Sequence, residues 1–324
     1  MPPKTAVIAV TLNCNAKCVM CNIWKNKFTD ELKPEEYLKL PSSLREINIT
    51  GGEPFLRNDI EQVVGCIKQA CKNARLVISS NGYLCSKIES EMKEIQKIDP
   101  KVALRVSIDG LEETHNKIRG FKDGFKRALE ILTRTKKIGI KDLGISMTIS
   151  SLNVSQIYDV FKISKKLNVQ MTMTAASDSD IYFGNIDENI KKFNFQQFEK
   201  QLSMIAKERI KTVNPKEWAR AWFEGLLIDF VKDKKRPFGC DAGQGFFYMD
   251  SVGNVYGCHI IENYLGNLRD YDTFKELWEN EKRKEIFEKA MKCKKCWMVC
   301  TSKSEIRNKK LKVGLEILKK KFFK

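Results

Sequence analysis

From Thr5 to about Ala175 the chain alternates six short β-rich runs with stretches whose apolar residues recur at helical spacing. The runs are Ala6–Thr11, Arg45–Thr50, Arg75–Ser80, Val102–Ile108, Gly144–Ser150 and Val169–Thr174. Between them, Ile60, Val63, Val64, Ile67 and Cys71 share one helical face, and Phe125, Leu129 and Leu132 share another. Strands that read as mostly continuous apolar runs, each followed by a helix, predict a parallel sheet covered by helices. The fold class is α/β, a partial (β/α)6 TIM-like barrel with its chemistry at the carboxyl ends of the strands.

The pattern changes after Thr174. Residues 176–236 read as a connector followed by helices over Phe195–Lys211 and Pro215–Lys232, the second opening with a helix-start proline. Residues 237–303 read as a small cysteine-rich α+β domain. In it a hairpin pairs Gly245–Asp250 with Asn254–Gly257, and helices follow around Thr273–Ala290. Residues 304–324 form a basic tail helix, and residues 1–175 are left as the barrel.

Eleven cysteines could mean a disulfide scaffold, but that reading needs a short chain and a signal peptide. Met1-Pro2-Pro3-Lys4 runs directly into the first strand without a cleavage site. No apolar run approaches a membrane span, since Glu224 and Asp229 break the stretch from Ala219 to Val231. A reduced cytoplasm is expected, with cysteines serving metals. The formal charge of +17 fits a functional basic surface or a solvated lysine-rich one. Much of the excess lies after Ser302, which argues against a nucleic-acid footprint over the whole protein.

Three cysteines, Cys14, Cys18 and Cys21, fall within eight residues just after the first strand. Thiolates suit iron–sulfur clusters, zinc or Cu(I). A closed zinc site wants four ligands, and the nearest further cysteine, Cys66, is far along the chain. The triad therefore reads as a site with one metal position left open. Gly51-Gly52-Glu53-Pro54 follows the second strand, Ser79-Ser80-Asn81-Gly82 the third, and Ser107-Ile108-Asp109-Gly110 the fourth, with His115 and Arg119-Gly120 beyond. Glycines expose backbone acceptors, Glu53 offers a carboxylate to an ammonium, and Arg119 can bind a carboxylate in bidentate fashion.

Cys-x3-Cys-x2-Cys in this place, joined to Gly-Gly-Glu-Pro, resembles the signature of the radical S-adenosylmethionine (SAM) enzymes. The resemblance implies that Cys14, Cys18 and Cys21 hold three irons of a 4Fe-4S cluster whose fourth iron binds the SAM amine and carboxylate. It implies further that Gly51, Gly52, Glu53, Pro54, Asn81, Ser107 and Arg119 cradle SAM. Reductive cleavage of SAM would then drive hydrogen abstraction, with an electron donor such as flavodoxin or ferredoxin. Met20 stands where the family often has an aromatic residue, and its thioether can pack against adenine. His115 reads as structural.

A second set comprises Cys240, Cys258, Cys293, Cys296 and Cys300. Gly253-x4-Cys258 followed by Cys293-x2-Cys296 resembles the SPASM extension and its shortened twitch form. Five cysteines imply one auxiliary 4Fe-4S cluster, bound by Cys240, Cys258, Cys293 and Cys296, with Cys300 spare or an alternate. A four-cysteine structural zinc site is the competing reading. His259 either ligates or packs beside Cys258. A fully ligated cluster suits electron transfer, which makes the net reaction an oxidation.

Enzymes with such extensions modify peptides and proteins or oxidise sugars and related small molecules, and the sequence does not choose among peptide, sugar and lipid-linked substrates. Asp178, Asp180, Tyr182 and Asn185 lie where substrate would pass and could supply polar contacts or a proton acceptor, although a solvated loop is the favoured reading. The alternatives are a non-catalytic iron–sulfur electron carrier or assembly factor, and an RNA-modifying enzyme suggested by charge alone. In the tail, Leu311, Leu315, Leu318 and Phe322 form one stripe flanked by Lys309, Lys310, Lys312, Lys319, Lys320, Lys321 and Lys324. Such a helix either docks its stripe against the barrel or lies on anionic lipid at the inner membrane face.

Overall fold

A computed structural model describes the chain except residues 26–28, 180, 185–189, 191, 234, 262 and 323–324. Strands β1 (Thr5–Thr11), β2 (Glu46–Gly51), β3 (Arg75–Ser80), β4 (Ala103–Ser107), β5 (Asp142–Ile149) and β6 (Gln170–Ala175) pair in parallel, in sequence order. Helices α1 (Ile60–Ala70), α2 (Cys85–Ile98), α3 (Glu112–Arg119), α4 (Gly124–Lys137) and α5 (Ile157–Leu167) fill the crossovers. Ile60, Val63, Val64 and Ile67 of α1 are buried, as their spacing requires. This is the open, partial barrel expected from the alternation.

Two features depart from expectation. Strands β2, β5 and β6 are not uniformly apolar: Asn48 and Thr50, and Ser146 and Thr148, alternate with buried neighbours, and Thr172 and Thr174 with buried Met171 and half-buried Met173 and Ala175. One face of these strands packs under helices while the other lines a polar lumen, so a period of two replaces the continuous run. The second departure concerns β7 (Phe246–Met249), β8 (Asn254–Tyr256) and β9 (Tyr264–Asn267). The expected hairpin is present as β7 and β8, but β7 also joins β1 in parallel, from Thr5↔Phe246 to Ile8↔Met249. Among the described residues this gives one sheet of order β6-β5-β4-β3-β2-β1-β7-β8-β9, running through the boundary drawn at residue 237.

Helices α6 (Phe195–Lys211) and α7 (Pro215–Asp233) form a hairpin beside β6. Its core holds Arg209, which donates to the Met171 carbonyl at 3.0 Å and lies 3.0 Å from Glu224. Short α8 (Phe274–Trp278) and α9 (Lys282–Lys292) cover the second half. The tail comprises α10 (Lys303–Asn308) and α11 (Lys310–Phe322). Helix α11 docks on α7, but through Val313 and Ile317, with Trp222 Nε1 donating to Glu316 at 3.0 Å and Lys320 to the Ala221 carbonyl at 3.1 Å. The stripe of Leu311, Leu315, Leu318 and Phe322 faces outward, opposite to the docking expected of it. Lys324 lies outside the described residues.

Candidate functional site

The cysteine loop leaves the carboxyl end of β1 and is clamped from two sides. On one side, Gly52 N donates to Thr11 O and Glu53 N to Asn13 O, both at 2.8 Å. A Cβ on Gly51 would stand 2.0 Å from Thr11 O, and one on Gly52 would stand 2.2 Å from Asn13 O. The two glycines are there because two backbones touch. On the other side, Lys17 N and Val19 N donate to the carbonyls of Arg119 and Ile118 at the end of α3. That helix stops at Gly120, whose φ of +62° is the left-handed form a C-terminal cap needs.

The clamped loop and the strand ends enclose a cavity of about 300 Å³. Cys14, Cys18, Met20, Cys21, Gly51, Gly52, Asn81, Ser107 and Arg119 all line it. Glu53 and Pro54 do not. Glu53 is fully buried behind the wall, where its carboxylate accepts from Asn81 N at 2.7 Å, Ser80 Oγ at 2.9 Å and Phe55 N at 3.2 Å. Burial pushes its pKa up to about 7 against those three donors. In this arrangement Glu53 ties the β3 loop to the β2 loop, and Pro54 opens the short helical turn after it.

Arg119 is set by a residue whose role sequence reasoning did not assign. Asp109, fully buried, takes Nε and Nη2 of Arg119 at 2.6 Å on one oxygen and Thr148 N at 2.8 Å on the other. Burial opposes the charge of Arg119, but Asp109 and Cys18 outweigh it and hold the guanidinium pKa above its ordinary value. Its Nη1 lies 3.8 Å from Cys18 Sγ, so the cation is presented to the cysteine loop and the cavity. His115 holds this arrangement rather than reacting. Its Nδ1 accepts from Asp109 N at 3.1 Å, and burial lowers its pKa to about 3, keeping it neutral.

The lumen wall also includes Asn48, Thr50, Ser79, Ser146, Thr148 and Thr174, small polar residues at alternate strand positions. Their signal was the period-two pattern. Tyr182 closes the cavity from the connector, bonding Thr50 Oγ1 at 2.9 Å and Gly51 O at 3.0 Å, and Phe183 and Met298 join it. Asp178 lines a neighbouring cavity of about 260 Å³ that shares Ala175, Ala176 and Ser177 with the first and reaches Lys294, Lys295 and Trp297. Asp180 and Asn185 lie outside the described residues.

The thiols fall into two kinds. Cys14 accepts from Ala16 N, Cys258 from Ile260 N and Cys293 from Lys295 N, at 3.1–3.5 Å, and Cys21 and Cys240 accept likewise from Ile23 and Ala242. Cys18 and Cys296 face the guanidinium groups of Arg119 and Arg236. Cys71 and Cys85 are the opposite case, since their sulfurs donate to backbone carbonyls. N–H groups aimed at sulfur suit thiolate ligands and tune a cluster. Burial raises Cys14 to about 12 and Cys21 and Cys258 to about 11, and pushes up Cys18, Cys240 and Cys296. A bound metal inverts that preference and holds the thiolate.

Cys240, Cys258 and Cys296 share one buried cluster, and Cys293 is near enough to act electrostatically on Cys240 and Cys258. Cys300 packs against the cluster that holds Tyr182 and Tyr248, and it is near enough to act electrostatically on Cys296. Among the described residues no three Cys, His, Asp or Glu side chains converge tightly enough for a single metal ion. The donor sets fit a four-iron cluster, whose ligand sulfurs stand further apart. His259 is buried against Tyr182, Tyr248 and Phe246, with no hydrogen-bond partner for Nδ1 among the described residues, so it acts here as a packing residue beside Cys258.

The family model described as the radical SAM superfamily matches residues 8–163, and the SPASM model, an iron–sulfur cluster-binding domain, matches residues 240–297. The second match includes Cys240, Cys258, Cys293 and Cys296 and stops before Cys300. An "AdoMet-dependent heme synthase" of Methanosarcina barkeri is 26% identical over 308 residues, covering 89% of this chain and 84% of that protein. The "Sporulation killing factor maturation protein SkfB" of Bacillus subtilis is 22% identical, covering 97% and 74%. In fold, the chain matches the solved structure "Native anSMEcpe with bound AdoMet and Cp18Cys peptide" with a TM-score of 0.67 at 20% identity, covering 98% and 99% of the two chains.

Proposed function

We propose that the chain, whose residues 8–163 match the radical SAM superfamily and 240–297 the SPASM domain, is an enzyme of that superfamily that oxidatively modifies a peptide substrate, and that its second cysteine set would hold one auxiliary 4Fe-4S cluster suited to electron transfer. When bound, the first cluster and SAM supply hydrogen-atom abstraction driven by reductive cleavage of the sulfonium bond. The residues of the chain hold and exclude. Cys14, Cys18 and Cys21 are the ligands of the first cluster, and Cys240, Cys258, Cys293 and Cys296 those of the second. The glycine pair Gly51-Gly52 offers backbone to the SAM amine, while Glu53 and Pro54 fix that loop. Asp109 aims Arg119 at the SAM carboxylate, Ser107 and Asn81 offer polar contacts, and Met20 packs on the base. Tyr182, Phe183 and Met298 keep water from the reacting centre.

The observation that carries the reading is that one cavity is lined by the three cysteines, the glycine pair and Arg119. The peptide class draws support from the second cavity, which leads from the lumen past Asp178 to Lys294 and Lys295 and gives an extended chain polar partners. A sporulation killing factor maturation protein among the relatives, and a solved structure of matching fold titled with a bound peptide, are consistent with it. A tetrapyrrole is the second reading, favoured by the 26% identity to a heme synthase over most of both chains. The electron donor we assign is a flavodoxin or ferredoxin, in a reducing compartment. No helix among the described residues is long and apolar enough to cross a membrane.

Anaerobically reconstituted protein is expected to hold about eight irons per chain and, with dithionite, to convert SAM to 5′-deoxyadenosine. Cys258→Ser should lose about half the iron, and Cys300→Ser none. Deuterium from a labelled peptide appearing in 5′-deoxyadenosine supports the peptide reading, and transfer from a labelled tetrapyrrole only would replace it. Full iron loading without SAM cleavage would sink both.

A further inference from the structure

The tail carries a surface independent of the barrel chemistry. Leu311, Leu315, Leu318 and Phe322 are 79%, 61%, 44% and 63% exposed, and they recur at i, i+4, i+7 and i+11, one stripe of α11. The helix cannot turn them inward. Its opposite face is already committed through Val313, Ile317, the Trp222–Glu316 bond and the Lys320–Ala221 bond.

The stripe continues onto a second element. Lys321 donates to the carbonyls of Ile210 and Thr212, and the Phe322 ring stands 6.2 Å from that of Trp218. These contacts put the end of α11 against the turn between α6 and α7, where Val213 projects, 92% exposed. Single exposed apolar residues need no explanation, but five on two adjoining elements form a ridge.

The rim of the ridge is basic. Lys310 flanks the stripe on one side of α11 and Lys312 and Lys319 on the other, while Lys207, Lys211 and Lys216 lie within a few residues of Val213 along the chain, all exposed. The acids nearby are turned away from it. Glu316 is the one acid of α11 and accepts from Trp222. Glu217 is held by Arg209 and Arg220, and Glu208 accepts from Tyr158. An apolar ridge with a lysine rim matches a surface that is oily inside and anionic at its head groups. A second copy of the chain would bring two lysine rims together, and phosphate backbones would leave the leucines without a partner.

We propose that α11 and the α6–α7 turn form a docking surface for an anionic lipid bilayer, with the Leu311–Phe322 stripe and Val213 entering the head-group boundary. The test is co-sedimentation of the full chain with vesicles of equal parts phosphatidylglycerol and phosphatidylcholine, against vesicles of phosphatidylcholine alone. Binding is expected only to the anionic vesicles and is expected to fall as salt shortens the Debye length. The L311Q/L315Q/L318Q/F322Q variant should bind at least about tenfold more weakly. The K310Q/K312Q/K319Q variant should lose roughly a hundredfold. All the substituted positions are exposed and lie outside the core, and unchanged melting of both variants confirms that binding alone is altered. Three results would overturn the proposal: no binding to anionic vesicles, equal binding by the leucine variant, or a dimer that the leucine variant abolishes while vesicles are ignored.

Discussion

Replacing Gly52 by alanine tests whether the contact between the glycine loop and the cysteine loop builds the metal site. The added Cβ would lie 2.2 Å from Asn13 O, 2.6 Å from Asn13 C and 2.8 Å from Cys14 Cβ. An ordinary contact needs at least ~1 Å more, so one loop must retreat. Retreat breaks the Gly52–Thr11 and Glu53–Asn13 hydrogen bonds, worth about 1 kcal/mol each. Overpacking adds about 1–3 kcal/mol, for a total of about 3–5 kcal/mol. That is a large fraction of an ordinary domain's stability. Because Asn13 precedes Cys14, the same shift misplaces the first thiol. The assay is urea unfolding of the apoprotein combined with iron content after reconstitution. Gly65→Ala is the control, since its Cβ would meet only Ile98 Cδ1 at 3.8 Å, and an alanine within α1 should stabilise by about 0.5–1 kcal/mol. If Gly52→Ala unfolds like the wild type and keeps its full iron, the backbone-contact account is wrong.

Two further perturbations separate positioning from fold. Asp109→Asn leaves Arg119 buried without a counter-charge, and should cost about 3–5 kcal/mol of stability while weakening SAM binding by equilibrium dialysis. Unchanged SAM affinity would show that Asp109 does not aim Arg119. In the α6–α7 hairpin, burial raises Glu224 from 4.5 to about 7, with Glu217 adding to it and Arg209 opposing. Its folded pKa lies above the unfolded one, so this group's contribution to stability is fully present below pH ~4.5, is lost as pH rises toward ~7, and is level above that. The loss is about 3 kcal/mol, and Glu224→Gln should remove it from the difference between unfolding free energies at low and neutral pH. Identical pH dependence in variant and wild type would refute the assignment.

The sequence is legible wherever a short stretch carries its own signal. Cys14–Cys21, Gly51–Pro54 and Arg119 stand out by spacing, and the structure brings their loops together because each follows a strand of one parallel sheet. Asn48, Thr50, Ser146 and Thr148 are harder to see although they alternate, because strands of a covered parallel sheet are expected to be apolar throughout. The lumen is a binding cavity, and that inverts the rule on one face. Asp109 belongs to a visible motif, but its bond to Arg119 ten residues on depends on how α3 turns back. The tail stripe is plain in the sequence and its direction is not. Four apolar residues against two suggest which face docks, yet Glu316 and Lys320 find partners on α7 only when Val313 and Ile317 point inward.

The pairing of β7 with β1 had no local signal, since it joins residues some 240 positions apart, and it changes what the second domain is. Cys14 follows the carboxyl end of β1, and Cys240 and Cys258 bracket the β7–β8 hairpin, whose first strand pairs with β1. Because β1 and β7 share one sheet and Tyr182, Tyr248 and His259 pack against one another, the two cysteine sets belong to one folded body among the described residues. The same pairing makes the barrel depend on its extension. Without β7, β1 becomes an edge strand, and Val7, Ala9 and Leu12 lose Phe246 and Tyr248 from the cluster they share. The cysteine loop hangs from that strand, so the two cysteine sets stand or fall as one folded unit.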